Sequence, residues 1–158
     1  MVLPIDGVRN IKALTYDPVE EVIYWIEGRK GIRKAKPDGS GVRKQGDGKS
    51  PLIAIHVCSP QVSQVVNSAH SNEMQPFDLA VEPFSRLLFW SDQMQNVINV
   101  TRLDGKPIGV VIMSNEVQYR PRHLALAPRH GLLFWTNRAQ PPSIMRSRLD
   151  GHDTHALV

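Results

Sequence analysis

The feature that most constrains this chain is a pattern written three times along it. The first copy runs Ala13-Leu14-Thr15-Tyr16-Asp17-Pro18, then Ile23-Tyr24-Trp25-Ile26-Glu27, then Ile32 through Asp38-Gly39. The second runs Leu79-Ala80-Val81-Glu82-Pro83, then Leu88-Phe89-Trp90-Ser91-Asp92, then Ile98 through Asp104-Gly105. The third runs Leu124-Ala125-Leu126-Ala127-Pro128, then Leu133-Phe134-Trp135-Thr136-Asn137, then Ile144 through Asp150-Gly151. In every copy the tryptophan follows the proline by seven residues and the glycine follows the isoleucine by seven. Trp90 and Trp135 stand 45 residues apart, and all 3 tryptophans of the chain belong to the pattern. Such a period marks a repeat architecture, in which each unit is one supersecondary element that cannot bury its apolar face alone.

Each unit reads as a four-stranded antiparallel blade, because short apolar runs alternate with turn residues at the spacing of an all-β fold. Leu79-Ala80-Val81 and Leu124-Ala125-Leu126 are expected as inner strands, small and apolar where strands crowd round a common axis. The Phe/Tyr-Trp strand follows, its neighbouring side chains pointing to opposite faces and filling the layers between blades. The isoleucine strand ends in Asp-Gly, a pair that tolerates the positive φ of a tight hairpin turn. Gly39, Gly105 and Gly151 are therefore expected at turns, with Val110 to Met113 and His155 to Val158 as outer strands. Trp25, Trp90 and Trp135 are read as core and not as a stacking platform for a ligand, since a repeat-locked aromatic fills space between units.

The first two tryptophans are 65 residues apart, 20 more than the next pair. The excess lies between Gly39 and Pro76. Leu52 to Val57 is expected as the outer strand of the first blade, and Gln61 to Asn72, rich in Ser, Asn and Gln, as loop. One β-propeller segment over residues 1–158 results, with blades near 8–58, 76–114 and 119–158 and an enlarged loop reaching 75.

At 158 residues the chain suffices for one core, and 41% hydrophobic with 22% charged residues is the composition of a globular protein. The net charge of +4 is spread along the chain without a basic block, which argues against nucleic-acid binding. The single cysteine, Cys58, excludes an internal disulfide and a multi-cysteine metal site. No apolar run approaches the roughly 18 residues of a membrane span. The first residues lack the basic and apolar regions of a secretory signal, so the chain is expected to be cytosolic or to begin inside a longer protein.

No catalytic constellation or cofactor site is found: there is no Gly-x-Ser-x-Gly and no glycine-rich phosphate loop. His152 and His155 lack a third metal ligand nearby. Asn99-Val100-Thr101 is the one N-glycosylation sequon, although its place on a strand demands that the side chain face outward.

Tyr24-Trp25-Ile26-Glu27, Phe89-Trp90-Ser91-Asp92 and Phe134-Trp135-Thr136-Asn137 resemble the Tyr-Trp-Thr-Asp motif of propellers in the LDL-receptor-related family. Arg9-Asn10-Ile11 through Pro18, Arg33-Lys34-Ala35, Gln75 through Leu79 and above all Asn96 through Gly105 are similar to the last extracellular propeller of its Wnt co-receptors. The resemblance implies half of a six-bladed ring in a single-pass receptor, outside the plasma membrane and without direct membrane contact. It implies glycosylation, and binding of Wnt-type secreted ligands or their antagonists. The remaining blades, or a second copy, would close the ring. Glu27, Asp92 and Asn137 would occupy a position that hydrogen-bonds between neighbouring blades.

Binding residues concentrate in loops on a rigid scaffold. On one rim, the loops after the second strands and those leading into the inner strands contain Arg29, Lys30, Gln93, Asn96, Arg120, Arg122 and Arg138. Phe77 and Tyr119 are the candidate aromatic anchors there. The expected function is ligand recognition without chemistry. An architectural propeller spacer is the alternative, and a propeller hydrolase is disfavoured by inner strands that lack carboxylates.

Overall fold

The computed structural model describes residues 9–28, 31–37, 63–67, 74–113 and 119–158. Its strands form three four-stranded antiparallel sheets, one per repeat, each in chain order. The first holds β1 (Ile11–Asp17), β2 (Val22–Glu27), β3 (Gly31–Ala35) and β4 (Ser63–Asn67). The second holds β5 (Pro76–Glu82), β6 (Leu87–Asp92), β7 (Val97–Arg102) and β8 (Pro107–Ile112). The third holds β9 (Pro121–Ala127), β10 (Leu132–Asn137), β11 (Ser143–Arg148) and β12 (His155–Ala156). The all-β, three-blade architecture expected from the repeat is the one adopted.

The edge of the first blade differs from expectation. The strand paired with β3 is Ser63–Asn67, with Val66 opposite Ile32 and Gln64 opposite Arg33. It lies within the stretch read as loop and extends the sheet beyond residue 58. Leu52–Val57, expected to fill this role, lies outside the described residues, as does Gly39. An outer strand needs one apolar face only, and buried Val65 provides it.

Two apolar layers lie between the sheets. Tyr24, Ile26, Ile32 and Val65 of the first blade meet Leu79, Val81, Leu88 and Trp90 of the second. Phe89, Ile98, Val100 and Ile112, on the other face of the second blade, meet Leu133, Trp135 and Met145 of the third. Adjacent Phe89 and Trp90 thus fill different layers, as the period of two along a strand requires. Full burial of each such side chain contributes about 1.5–3 kcal/mol.

The Asp-Gly turns have a second use. Gly105 and Gly151 take φ of +94° and +88°, and Asp104 and Asp150 each accept a backbone N–H two residues on, both at 3.0 Å. A Cβ on Gly105 would also stand 2.6 Å from the Val65 carbonyl oxygen, and one on Gly151 would strike that of Val111. Each turn therefore presses its backbone against the outer strand of the preceding blade, where only glycine leaves room.

A polar seam joins the first two blades on the same side. Arg86, in the β5–β6 turn, reaches back to Asp17 and Glu20 of the β1–β2 turn, each at 2.7 Å. Burial works against its charge, but the hydrogen bond to Asp17 and the charges of Asp17 and Glu20 hold the guanidinium above its ordinary pKa. The nearby Tyr24 hydroxyl is pushed up by burial, then by Asp17 and Glu20. Asp17 is fully buried, whereas Arg86 keeps 28% of its side chain exposed. Arg86→Ala would strand that carboxylate, at a cost near the lower end of the usual range, about 3 kcal/mol. Thermal denaturation should show a clear fall in melting temperature, partly recovered when Asp17→Asn is added; a melt like that of the parent would rule out the seam as a stabilising contact.

Candidate functional site

The rim begins with the last residue of each second strand. Asp92 accepts backbone N–H groups from Gln75 at 3.0 Å, Met94 at 2.8 Å and Gln95 at 3.0 Å. Asn137 Oδ1 accepts from Arg120 at 2.7 Å and Ala139 at 3.2 Å. Glu27 accepts from the Arg9 N–H at 3.4 Å and from the Arg33 guanidinium at 2.7 Å. Each of these bonds lies within a blade. The reason is register: Asp92 stands opposite Pro76 and Asn137 opposite Pro121, facing the backbone that leads into the inner strand. A link between blades comes one residue earlier. Ser91 donates its hydroxyl to the Arg122 carbonyl at 2.6 Å, while Asp78 accepts the Leu124 N–H at 2.8 Å.

A β-bulge interrupts each inner strand near its start. Ala13 and Ile11 pair with consecutive residues of β2, so Lys12 is the extra residue; Phe77 is extra between Asp78 and Pro76. In the third blade the shift falls between Leu124 and Pro121 and takes in Arg122. Bulges re-aim side chains and are enriched beside functional sites. Here they set Lys12, Phe77 and Arg122 at equivalent places on three neighbouring strands. The Arg122 guanidinium carbon lies 5.7 Å from the centre of the Phe77 ring, and the His123 ring meets that ring edge-on at 5.1 Å. Beside them opens a cavity of about 510 Å³ lined by Lys12, Leu14, Phe77, Asp78, Gln93 and His123 among others.

Of the expected rim residues, Phe77, Gln93, Asn96 and Arg122 come together: Arg122 Nη1 donates to Asn96 Oδ1 at 3.2 Å and to the Pro121 carbonyl at 2.7 Å. Arg120 and Arg138 are tied by a backbone hydrogen bond of 3.0 Å. Burial, then the charges of Arg138 and Arg120, push the Arg122 pKa down. Tyr119 is partly buried and packs against the layer between the second and third blades. Arg29 and Lys30 lie outside the described residues. Lys12, Asp78 and His123 were not singled out from sequence, although writing the three units in register would have placed Lys12 and Arg122 at one position.

Among the described residues no three His, Cys, Asp or Glu side chains gather as metal ligands, and no helix is long and apolar enough to cross a membrane. Asn99 sits on β7 opposite Trp90 and Val110, and its Nδ2 is buried without a hydrogen-bond partner. That nitrogen is where a glycan would be joined, so its burial disfavours modification of the sequon. Material secreted from a eukaryotic host should therefore show no mass shift at Asn99 after peptide N-glycosidase treatment; a glycopeptide at this site would contradict the assignment.

No protein-family profile matches the chain. Over 99% of its length it is 35% identical to low-density lipoprotein receptor-related protein 5 of Mus musculus and 34% identical to that of Homo sapiens. It spans only 9% and 8% of those proteins. Among solved structures, a nidogen/laminin complex contains a chain that matches with a TM-score of 0.70 at 24% identity, over 96% of this chain and 49% of that one. A putative 6-phosphogluconolactonase of Bacteroides uniformis matches with a TM-score of 0.58 at 14% identity, covering 92% of this chain and 39% of that one, which shows likeness of fold alone. The repeat, the three sheets and the full-length similarity together make this chain a YWTD-type β-propeller segment, similar to a stretch of the low-density lipoprotein receptor-related proteins.

Proposed function

We propose that this segment is a recognition module that binds a secreted protein through the rim around Phe77, with no chemistry of its own. The observation that carries the reading is the joining of three bulged residues, one from each blade, beside an open cavity. An aromatic with a cation on its face and polar groups around it is the composition of a binding hot spot. The nidogen relative was solved as a complex with laminin, which favours a protein partner. The receptor-related proteins favour a place outside the plasma membrane and partners of the Wnt type or their antagonists.

Binding to immobilised chain, with secreted Wnt-type ligands and antagonists as analytes, tests this. Phe77→Ala should weaken the interaction by at least about tenfold, as loss of a central aromatic anchor does. Phe84→Ala, in the β5–β6 turn on the opposite rim and 67% exposed, should leave it unchanged. Equal loss in both variants, or no binding by any analyte, would sink the proposal.

A second inference concerns the ring. Leu14 and Tyr16 on β1 are 66% and 47% exposed, and Ile144 on β11 is 46% exposed. Uncovered apolar faces at the ends of a repeat array need caps, and further blades or a second copy would provide them here. Light scattering on the purified chain should report self-association that Leu14→Glu reduces. A monomer across the whole concentration range would show that these faces need no cover.

A further inference from the structure

We propose that two copies of this chain close into one ring, the outer face of the third blade of each receiving the first blade of the other. This rests on the reading above that the end faces need cover, and it adds the occupant, its orientation and the side chains that meet.

The first ground is apolar and comes from writing the blades in register. Ile32 and Ile98 are 0% exposed because the next blade covers them, while Ile144, their counterpart on the third blade, is 46% exposed. On the arriving side Leu79 and Val81 are 3% and 8% exposed, while Leu14 and Tyr16, their counterparts on the first blade, are 66% and 47% exposed. One end thus carries the departing half of an interblade layer and the other end the arriving half. The two halves differ, so the contact that completes the layer runs head to tail.

The second ground is a hydroxyl with its proton unspent. Ser91 accepts the Asp78 N–H at 3.2 Å and donates to the Arg122 carbonyl of the next blade at 2.6 Å. Thr136, at the same place in the third blade, accepts the His123 N–H at 3.1 Å, and among the described residues its hydroxyl has no acceptor. The carbonyl equivalent to that of Arg122 belongs to Lys12, on β1 of the arriving blade.

The third ground is charge. At the seam between the first two blades Arg86 arrives, and Asp17 and Glu20 receive it, each at 2.7 Å. Between two copies the place of Arg86 falls to Glu21, which holds the same turn position with φ of +54° against +60°. The place of Glu20 falls to His130, beside Arg129. Glu21, Arg129 and His130 are all exposed, and none has an ion partner among the described residues. The signs are exchanged but remain complementary, which favours a first blade as the occupant of this face. Closure with two copies fits the size of the chain, which covers 49% of the chain it matches in the nidogen/laminin complex. A head-to-tail contact that closes gives a finite ring, whereas one that does not close gives filaments.

Light scattering on the 158-residue chain should give a mass twice 17.7 kDa, with no larger species. Glu21→Arg should weaken dimerisation at least about tenfold, and so should Arg129→Glu combined with His130→Glu, since like charges then face each other at both seams. Mixed in equal amounts, the two variants should dimerise about as well as the parent, because one seam is then native and the other carries the exchanged charges. Thr136→Val removes the unspent donor and should weaken the parent dimer several-fold, which keeps the test open if a charge variant fails to fold by circular dichroism. Met94→Glu, at an exposed position of the second blade, should change nothing. Species larger than a dimer, charge variants that associate like the parent, or a mixture no better than its parts would each overturn the proposal. If Leu14→Glu lowers association while the mixture fails to restore it, the end faces still need cover and only this pairing falls; a monomer at every concentration sinks both.

Discussion

Everything in this structure hangs on a strand whose two faces are both buried. In β6, Phe89 enters the layer shared with the third blade and Trp90 the layer shared with the first. A single sheet with two apolar faces cannot exist alone in water, so each blade requires a neighbour on either side. The aromatic pair therefore makes stacking obligatory, and stacking of twisted sheets about inner strands brings those strands together around an axis. Lateral order then follows from polar contacts of smaller reach: the Arg86 bridge to Asp17 on one side, and the Ser91 and Asp78 bonds to the third blade on the other.

Those contacts divide the labour between the two rims. On the rim of Arg86, buried carboxylates at the ends of inner strands hold turns: Glu82 accepts the N–H groups of Phe84 at 3.0 Å and Ser85 at 2.6 Å, and Asp17 that of Val19 at 3.0 Å. Acids and cations there satisfy one another. On the opposite rim Asp92 is spent on backbone N–H groups and Glu27 on the Arg33 guanidinium, and the bulges lift cations and an aromatic ring into the space left. The same repeat thus yields one rim that is closed by its own charges and one whose positive charge looks outward.

Much of the fold is legible in the residues because a repeat converts a weak local signal into a strong periodic one. Leu79, Trp90 and Ile98 each stand where the pattern puts them, and Asp104-Gly105 and Asp150-Gly151 lie at the turns assigned to them. The outer strand of the first blade was not legible. Leu52–Val57 is the greasier segment, but pairing with β3 was won by Ser63–Asn67, and strand pairing is a contact between residues distant in sequence that no window of hydropathy contains. Asn99 shows the same limit at one residue: the sequon is readable, whereas the face on which its amide falls depends on register.

The candidate site is legible in kind but not in geometry. Composition and loop position point to Arg120, Arg122 and Arg138, since rim loops are where charge can remain solvated. Nothing in the sequence shows that packing draws Tyr119 partly between blades, and Lys12 looks like any surface lysine until a bulge sets it beside Phe77. What the residues alone determined is the architecture, because aromatic, isoleucine and Asp-Gly positions recur at spacings that only stacked four-stranded sheets can bury. What the tertiary structure alone decided is which side chains meet across blades, because a one-residue bulge is invisible to periodicity yet redirects every side chain it carries.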